Sequence, residues 1–165
     1  MKNYAEFYNK LTKTFQDKPA AIRSLHFINS LLTKVMYLVY PLLLIHLFIN
    51  TPDKLPIFIL IPGLSFILVS LGRHLLNTPR PYETWNITPL ISKNTKGHSF
   101  PSRHVFSASI ISMAVLTQSS FLGLILLILS LIIAFCRVLG GVHYPHDVVA
   151  GYLIGLICGF LLFLF

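Results

Sequence analysis

Long uncharged apolar runs dominate this chain and alternate with short polar clusters. Runs of this length predict helices that cross the hydrocarbon core of a membrane, helped by flanking residues. The stretch 105–136 carries no charge and is too long for one span, so the polar residues 117–120 predict a break within it. The pattern as a whole predicts five membrane helices, near 35–50, 55–72, 102–118, 121–139 and 148–165.

The N-terminal residues show an amphipathic pattern instead. Lysines lie mostly on the opposite side of a helix over 3–17 from five apolar or aromatic residues: Tyr4, Phe7, Tyr8, Leu11 and Phe15. This pattern is typical of a helix lying in the membrane interface, with a solvated helix as the alternative, and Pro19 predicts its end. We therefore expect an all-α integral membrane helical bundle, with an interfacial segment over 1–29 and a transmembrane domain over 30–165.

Composition and charge narrow the possible partners. Hydrophobic residues make up 55% of the chain and charged residues 11%, far from soluble averages. The net charge of +8 points to anionic lipid headgroups and phosphorylated substrates, because the chain has no polar domain to present a nucleic-acid surface. Cys136 and Cys158 lie in apolar stretches without metal-ligand spacing, so we expect packing roles and no metal site. The oligomeric state is not indicated.

Three polar clusters interrupt the apolar runs, where ionisable groups are costly and usually functional. They are Arg73-x6-Arg80-Pro81, Pro101-Ser102-Arg103-His104 and Arg137-x5-His143-x3-Asp147. With five spans, all three clusters fall on one face of the membrane. Taken singly, an arginine at a helix end is commonly a snorkelling anchor, and an aspartate commonly a helix cap. The joint spacing favours a shared site instead.

The residue types in these clusters suit phosphoryl transfer. Negative charge spreads over the equatorial phosphate oxygens in the transition state, and arginine binds such oxygens bidentately. Ser102 and the backbone N–H groups that follow it can complete a phosphate cradle at a helix start. Two histidines can supply a nucleophile and an acid, and a carboxylate four residues after His143 can fix its tautomer. We expect structural or interfacial roles for the other histidines: His26, His46, His74, His98 and His146.

At these positions the chain resembles the type 2 phosphatidic acid phosphatase family, which shares its motifs with vanadium haloperoxidases. The family pattern is K-x6-RP, PSGH and SR-x5-H-x3-D, and the resemblance covers about residues 30–165. Three positions depart from it: Arg73 replaces lysine, Arg103 replaces glycine and Cys136 replaces serine. These departures bear on substrate preference and rate, since no proton-transfer or nucleophile position is changed.

The resemblance implies a metal-independent phosphatase without a cofactor. In that mechanism His143 forms a phosphohistidine, Asp147 orients its ring and His104 protonates the leaving oxygen. The phosphate would be bound by Arg73, Arg80, Ser102, Arg137 and the backbone at Arg103.

The implied substrate is a lipid phosphate of the undecaprenyl pyrophosphate, phosphatidylglycerophosphate or phosphatidate class. Two alternatives stay open: a non-catalytic protein that binds or moves an anionic lipid, and a phosphotransferase.

The membrane face of the site is a separate question. We expect a bacterial plasma-membrane protein, and many family members with envelope roles work on the extracytoplasmic face. Of the 13 lysines and arginines, however, only Lys54 lies opposite the site in the five-span arrangement. Because basic residues concentrate on the cytoplasmic side, the charge distribution favours a cytoplasmic site.

Overall fold

A computed structural model describes residues 3–92 and 95–165. Lys2 and Lys93, which enter the charge argument, lie outside the described residues. Within these ranges the secondary structure is entirely helical, with seven α-helices: α1 (Tyr4–Gln16), α2 (Pro19–Asn50), α3 (Leu55–Leu76), α4 (Pro81–Thr84), α5 (Arg103–Leu116), α6 (Ser120–Leu139) and α7 (Pro145–Phe160). Short 3₁₀ helices form at Pro52–Lys54 and Leu161–Leu164.

Four helical stretches of the described chain are long and apolar enough to cross a membrane: Pro19–Asn50, Pro52–Thr84, Ser120–Leu139 and Pro145–Leu164. They match four of the five predicted spans. The remaining one, α5, has 14 residues and is therefore about 21 Å long, shorter than a hydrocarbon core of about 30 Å. Most of its side chains are buried. The integral membrane helical bundle is confirmed, whereas the count of five full-length spans is not.

Small residues bring α7 directly against α5. A Cβ atom at Gly155 would lie 1.9 Å from Ser109 Oγ, and one at Gly151 would lie 2.5 Å from the Ser102 carbonyl oxygen. The glycines at four-residue spacing on α7 thus serve close packing of the two helices. This close approach joins the starts of the two helices, where the Ser102 N–H donates to the Asp147 carbonyl oxygen over 2.9 Å.

The amphipathic N-terminal residues form α1, whose aromatic face packs on the protein. Tyr4 and Tyr8 are each only 1% exposed. The Tyr8 hydroxyl donates to the Leu139 carbonyl oxygen and accepts from the Leu90 N–H, both over 3.1 Å. Helix α2 continues unbroken through residues 29 and 30, so the expected domain boundary falls inside a helix. That α1 also lies in the membrane interface stays a prediction.

Candidate active site

The three polar clusters converge on one cavity of about 290 Å³. It opens where α3 ends, where α5 begins and where the turn between α6 and α7 lies. Five of the residues that the sequence singles out line it: Arg73, Arg80, Arg103, His104 and His143. Ser102, Arg137 and Asp147 are buried beside it. The sequence therefore predicts correctly that these clusters meet, while their chemical roles stay predictions.

His143 lies in the turn before α7 and is 1% exposed. Its Nδ1 lies 3.5 Å from Asp147 Oδ2. That oxygen also accepts the Tyr144 N–H over 2.9 Å, which caps the start of α7. One carboxylate therefore fixes both the helix end and the histidine ring. With Nδ1 facing the carboxylate, Nε2 is the ring nitrogen available to the cavity.

Ser99 completes this pair and was not identified from the sequence. Its hydroxyl donates to Asp147 Oδ2 over 2.5 Å and lies 3.4 Å from His143 Nδ1. The Ser99 side chain is fully buried. No periodicity or motif spacing marks a serine in this loop, so its contact with the carboxylate becomes visible only in three dimensions.

Two buried arginines hold the loop that lines the site. The terminal nitrogens of Arg73 donate to the carbonyl oxygens of His98, Ser99 and Pro101. Arg80 donates through Nε to the Gly97 carbonyl oxygen over 3.1 Å, and through Nη1 to the carbonyl oxygen of residue 142 over 3.0 Å. Both therefore contribute positive charge to the cavity while bracing its walls. Direct phosphate binding by either stays a prediction.

Glu83 ties α4 to the same loop. Its Oε1 accepts the Arg80 N–H over 3.1 Å and the Gly97 N–H over 2.8 Å. Gly97 has a φ of +64°, a conformation that favours glycine, and a Cβ atom there would also displace the Asn77 side chain. The sequence does not distinguish Glu83, because a single acidic residue near a loop has no characteristic spacing.

Two histidines that were expected to be structural lie at the edge of the site. His98 Nδ1 is 3.0 Å from the Arg73 carbonyl oxygen, and its ring stacks on His74 at 5.3 Å. His146 Nε2 lies 3.1 Å from Asp147 Oδ1. His98 thus belongs to the bracing of the loop, and His146 contacts the carboxylate from its outer side.

The centre of the site carries an excess of positive charge. The side chains of Arg73, Arg80 and Arg137 are between 3% and 8% exposed. No carboxylate in the described part of the chain lies within 4.0 Å of these guanidinium groups. Arg137 Nε and Ser102 Oγ are moreover buried without a hydrogen-bond partner. Because unpaired buried charge is costly, this arrangement favours an anion with several oxygen atoms.

Burial also sets the protonation of His143. Removal from water lowers the pKa of the His143 imidazole to about 4; Asp147 opposes this shift, and the Arg80 charge adds to it. The ring is therefore neutral at neutral pH, with a lone pair on one nitrogen. Among the described residues no group of three or more His, Cys, Asp or Glu side chains is placed to hold a metal ion.

Comparison with known proteins places this geometry in a family. The model of the PAP2 superfamily matches residues 54–165. Undecaprenyl-diphosphatase BcrC of Bacillus subtilis (strain 168) is 33% identical over 158 residues, which cover 88% of this chain and 80% of that protein. An undecaprenyl-diphosphatase of Sulfolobus acidocaldarius is 28% identical over 93 residues, covering 56% of this chain and 45% of that protein.

Solved structures show the same fold. The crystal structure of Aquifex aeolicus LpxE superposes with a TM-score of 0.76 at 28% identity, over 97% of this chain and 94% of that one. A PAP2-type phosphatidylglycerolphosphate phosphatase from Bacillus subtilis superposes with a TM-score of 0.68 at 19% identity, over 95% and 83% of the two chains. The family match extends over all three polar clusters and the helices that carry them. This chain is therefore an integral membrane member of the PAP2 superfamily.

Proposed function

We propose that this protein hydrolyses a lipid phosphate or diphosphate through a phosphohistidine at His143. One observation carries the proposal: three buried arginines without carboxylate partners lie near a neutral histidine whose Nδ1 faces an aspartate. Such a site offers positive charge where a transferring phosphoryl group develops negative charge. The undecaprenyl-diphosphatase activity in the names of two relatives agrees with this reaction class.

In the first step the Nε2 lone pair of His143 attacks phosphorus. The new N–P bond forms as the bond between phosphorus and the leaving oxygen breaks, and that oxygen keeps the electron pair. His104 lines the same cavity and donates a proton to the leaving oxygen. Asp147 stabilises the positive charge that develops on the ring through Nδ1. The products of this step are the dephosphorylated lipid and the phosphohistidine.

In the second step a water molecule attacks the phosphorus of the phosphohistidine. His104, now neutral, accepts a proton from this water, since the same group serves as acid and then as base. The N–P bond breaks, its electron pair returns to His143, and inorganic phosphate leaves. Because arginines supply the positive charge throughout, we propose that the reaction needs no metal ion, and hydrolysis should continue in the presence of a chelator.

An apolar groove beside the cavity suits the lipid chain of the same substrate. It encloses about 240 Å³ between α2, α3 and α5. Its walls include Tyr40, Gly63, Phe66 and Phe106, and several apolar side chains of α3 near it are exposed in the isolated chain. A lipid chain lying in this groove would stay within the bilayer, and its phosphorylated end would reach the cavity.

Phosphate release from purified protein over a panel of lipid phosphates tests the proposal. We expect His143→Gln to lower the rate by at least about 1,000-fold, because removal of a nucleophile abolishes the covalent route. His46→Gln, an exposed position on α2, is the matched control and should retain full activity. Full activity in His143→Gln would refute the phosphohistidine.

The same assay separates the alternatives. Lipid binding by the wild type without release of phosphate from any substrate would identify a non-catalytic binding protein. Transfer of phosphate to an added alcohol in preference to water would identify a phosphotransferase.

A further inference from the structure

Arg103 is the side chain that most distinguishes this cavity from the family pattern, which has glycine at this position. It is the first residue of α5, and its side chain is exposed at the cavity. The guanidinium carbon lies 5.4 Å from the centroid of the Phe66 ring, a cation–π contact. No hydrogen bond or ion pair with the described residues engages this guanidinium. Its N–H donors are thus available to a ligand.

The position of Arg103 relative to the two pockets is informative. Arg103 lines the polar cavity that contains His143, whereas Phe66, against which it packs, lines the apolar groove. The guanidinium therefore lies at the junction between the two. A lipid that fills both must pass this group at the point where its polar end joins its chain.

The cations of the cavity form two tiers. Arg73, Arg80 and Arg137 are buried. The first two line the cavity together with His143, and the charge of Arg137 acts on the His143 ring, so all three suit the phosphate that is attacked. Arg103 and Lys96 are exposed and line the cavity farther out. A lipid diphosphate presents its two phosphates in this order: the terminal one, then the one attached to the chain. A lipid monophosphate has no group for the outer tier.

We infer that the Arg103 side chain binds the inner phosphate of a lipid diphosphate and so makes this protein prefer diphosphates over monophosphates. The inference rests on the proposed function, since it assigns the attacked phosphate to His143. As the N–P bond forms, the bond from the terminal phosphorus to the bridging oxygen breaks. That oxygen keeps the electron pair, accepts the proton of His104 and leaves as part of the lipid monophosphate. Arg103 neutralises the charge that accumulates on this leaving group.

The test compares farnesyl diphosphate with farnesyl phosphate, which share one chain. We expect Arg103→Gln to lower kcat/KM for the diphosphate by at least about 10-fold and for the monophosphate by less than about 3-fold, because one charge-assisted contact is lost only in the former. For the diphosphate, kcat/KM of Arg103→Lys should lie between the values of the wild type and Arg103→Gln, since lysine keeps the charge and loses the bidentate guanidinium geometry. Arg23→Gln, an exposed arginine on α2, controls for net charge and should leave both values unchanged.

A binding experiment separates this inference from the proposed function. In His143→Gln protein, calorimetric titration should show that Arg103→Gln weakens diphosphate binding by about 10-fold and monophosphate binding little. If the wild type releases no phosphate but this selective loss is seen, the proposed function fails and the subsite stands. Equal losses for both ligands, or no loss for either, would overturn the subsite whatever the activity.

Discussion

At the scale of single residues, the site depends on one carboxylate that serves several partners. Asp147 Oδ2 receives the Ser99 hydroxyl and the Tyr144 N–H and faces His143 Nδ1. Each contact restricts the carboxylate further, so the histidine ring meets a fixed acceptor. The i, i+4 spacing of His143 and Asp147 made this pair predictable from the sequence. The serine was not predictable, because the path of the loop alone brings it to the carboxylate.

The depressed pKa of His143 leads to a prediction about pH. In the folded protein the ring should take up its proton near pH 4, whereas in the unfolded chain it does so near the ordinary value of about 6.5. Between these values the unfolded state binds more protons, so the contribution of His143 to stability is complete above about pH 6.5 and is lost as the pH falls toward 4. Histidine-ring NMR should show the midpoint, and thermal unfolding should show the slope.

Two variants should move the pKa of the His143 ring in opposite directions. Arg80→Met removes a like charge and should raise the midpoint of His143, whereas Asp147→Asn removes an opposite charge and should lower it. His143→Gln should reduce the dependence of unfolding on pH in the window between 4 and 6.5. A His143 midpoint near 6.5 in the wild type would contradict the assignment of a neutral, desolvated nucleophile.

Arg73 leads to a prediction about stability. Its guanidinium donates to three loop carbonyl oxygens, and the compact ammonium group of a lysine cannot reproduce that fork. We expect Arg73→Lys to lower the free energy of unfolding by about 2 kcal/mol, because buried carbonyl groups lose their donors, and to lower kcat as Ser99 loses its support. Chemical denaturation in detergent measures the first effect.

The matched comparison for Arg73 is Arg103→Gln. The Arg103 side chain makes no hydrogen bond or ion pair with the described chain and contacts only the Phe66 ring at the surface, so its loss should lower the free energy of unfolding by less than about 1 kcal/mol. If Arg73→Lys instead raised KM without any loss of stability, Arg73 would act as a phosphate ligand alone.

At the scale of helices, apolar run length predicted most elements, and its failures have physical causes. The break at residues 117–120 appears between α5 and α6, and Pro52–Lys54 forms the turn before α3. Helix α2 begins 16 residues earlier than the predicted span at 35, because polar residues continue a helix beyond the hydrocarbon at no cost. Helix α5 is shorter than the hydrocarbon core is thick, yet it is apolar because the other helices bury it. Hydropathy does not distinguish burial in protein from burial in lipid.

The groove between α2, α3 and α5 leads to a prediction for helix α3. A side chain added at Gly63 would meet no atom within 4 Å and would project into the groove. We expect Gly63→Leu to lower kcat/KM for long-chain lipid phosphates by about 10-fold, because a leucine excludes part of the buried chain, and to leave hydrolysis of a small soluble phosphomonoester unchanged.

Gly72→Leu is the control on the same helix. Gly72 also has open space around it but does not line the groove, so both substrates should be hydrolysed as by the wild type. Equal losses on short and long substrates in Gly63→Leu would show that the substitution disturbs α3 and that the groove does not hold the chain.

At the scale of the whole molecule, the convergence of the three clusters was predictable because it depends on the order of crossings. The orientation of the molecule in the membrane depends on the distribution of charge outside the helices. Helix α3 is about 33 Å long, since it has 22 residues. Arg73 lies in its last turn, and Lys54 immediately precedes its first residue. In the five-span order predicted from the sequence, nearly all other lysines and arginines fall on the same side of the membrane as Arg73. The positive-inside rule therefore predicts that the site faces the cytoplasm.

Two single cysteines at opposite ends of the molecule test this orientation. Ser92, in the loop beside the site, and Asp53, in the turn before α3, are both exposed. Each is changed to cysteine in a background with Cys136→Ser and Cys158→Ala, after retained phosphatase activity has been verified. In intact cells a membrane-impermeant thiol reagent should label Asp53→Cys and not Ser92→Cys, and permeabilised cells should show both labelled. Labelling of Ser92→Cys alone in intact cells would place the cavity outside the cell. The arginines at its centre would then be exceptions to the positive-inside rule, because the phosphate chemistry requires them there.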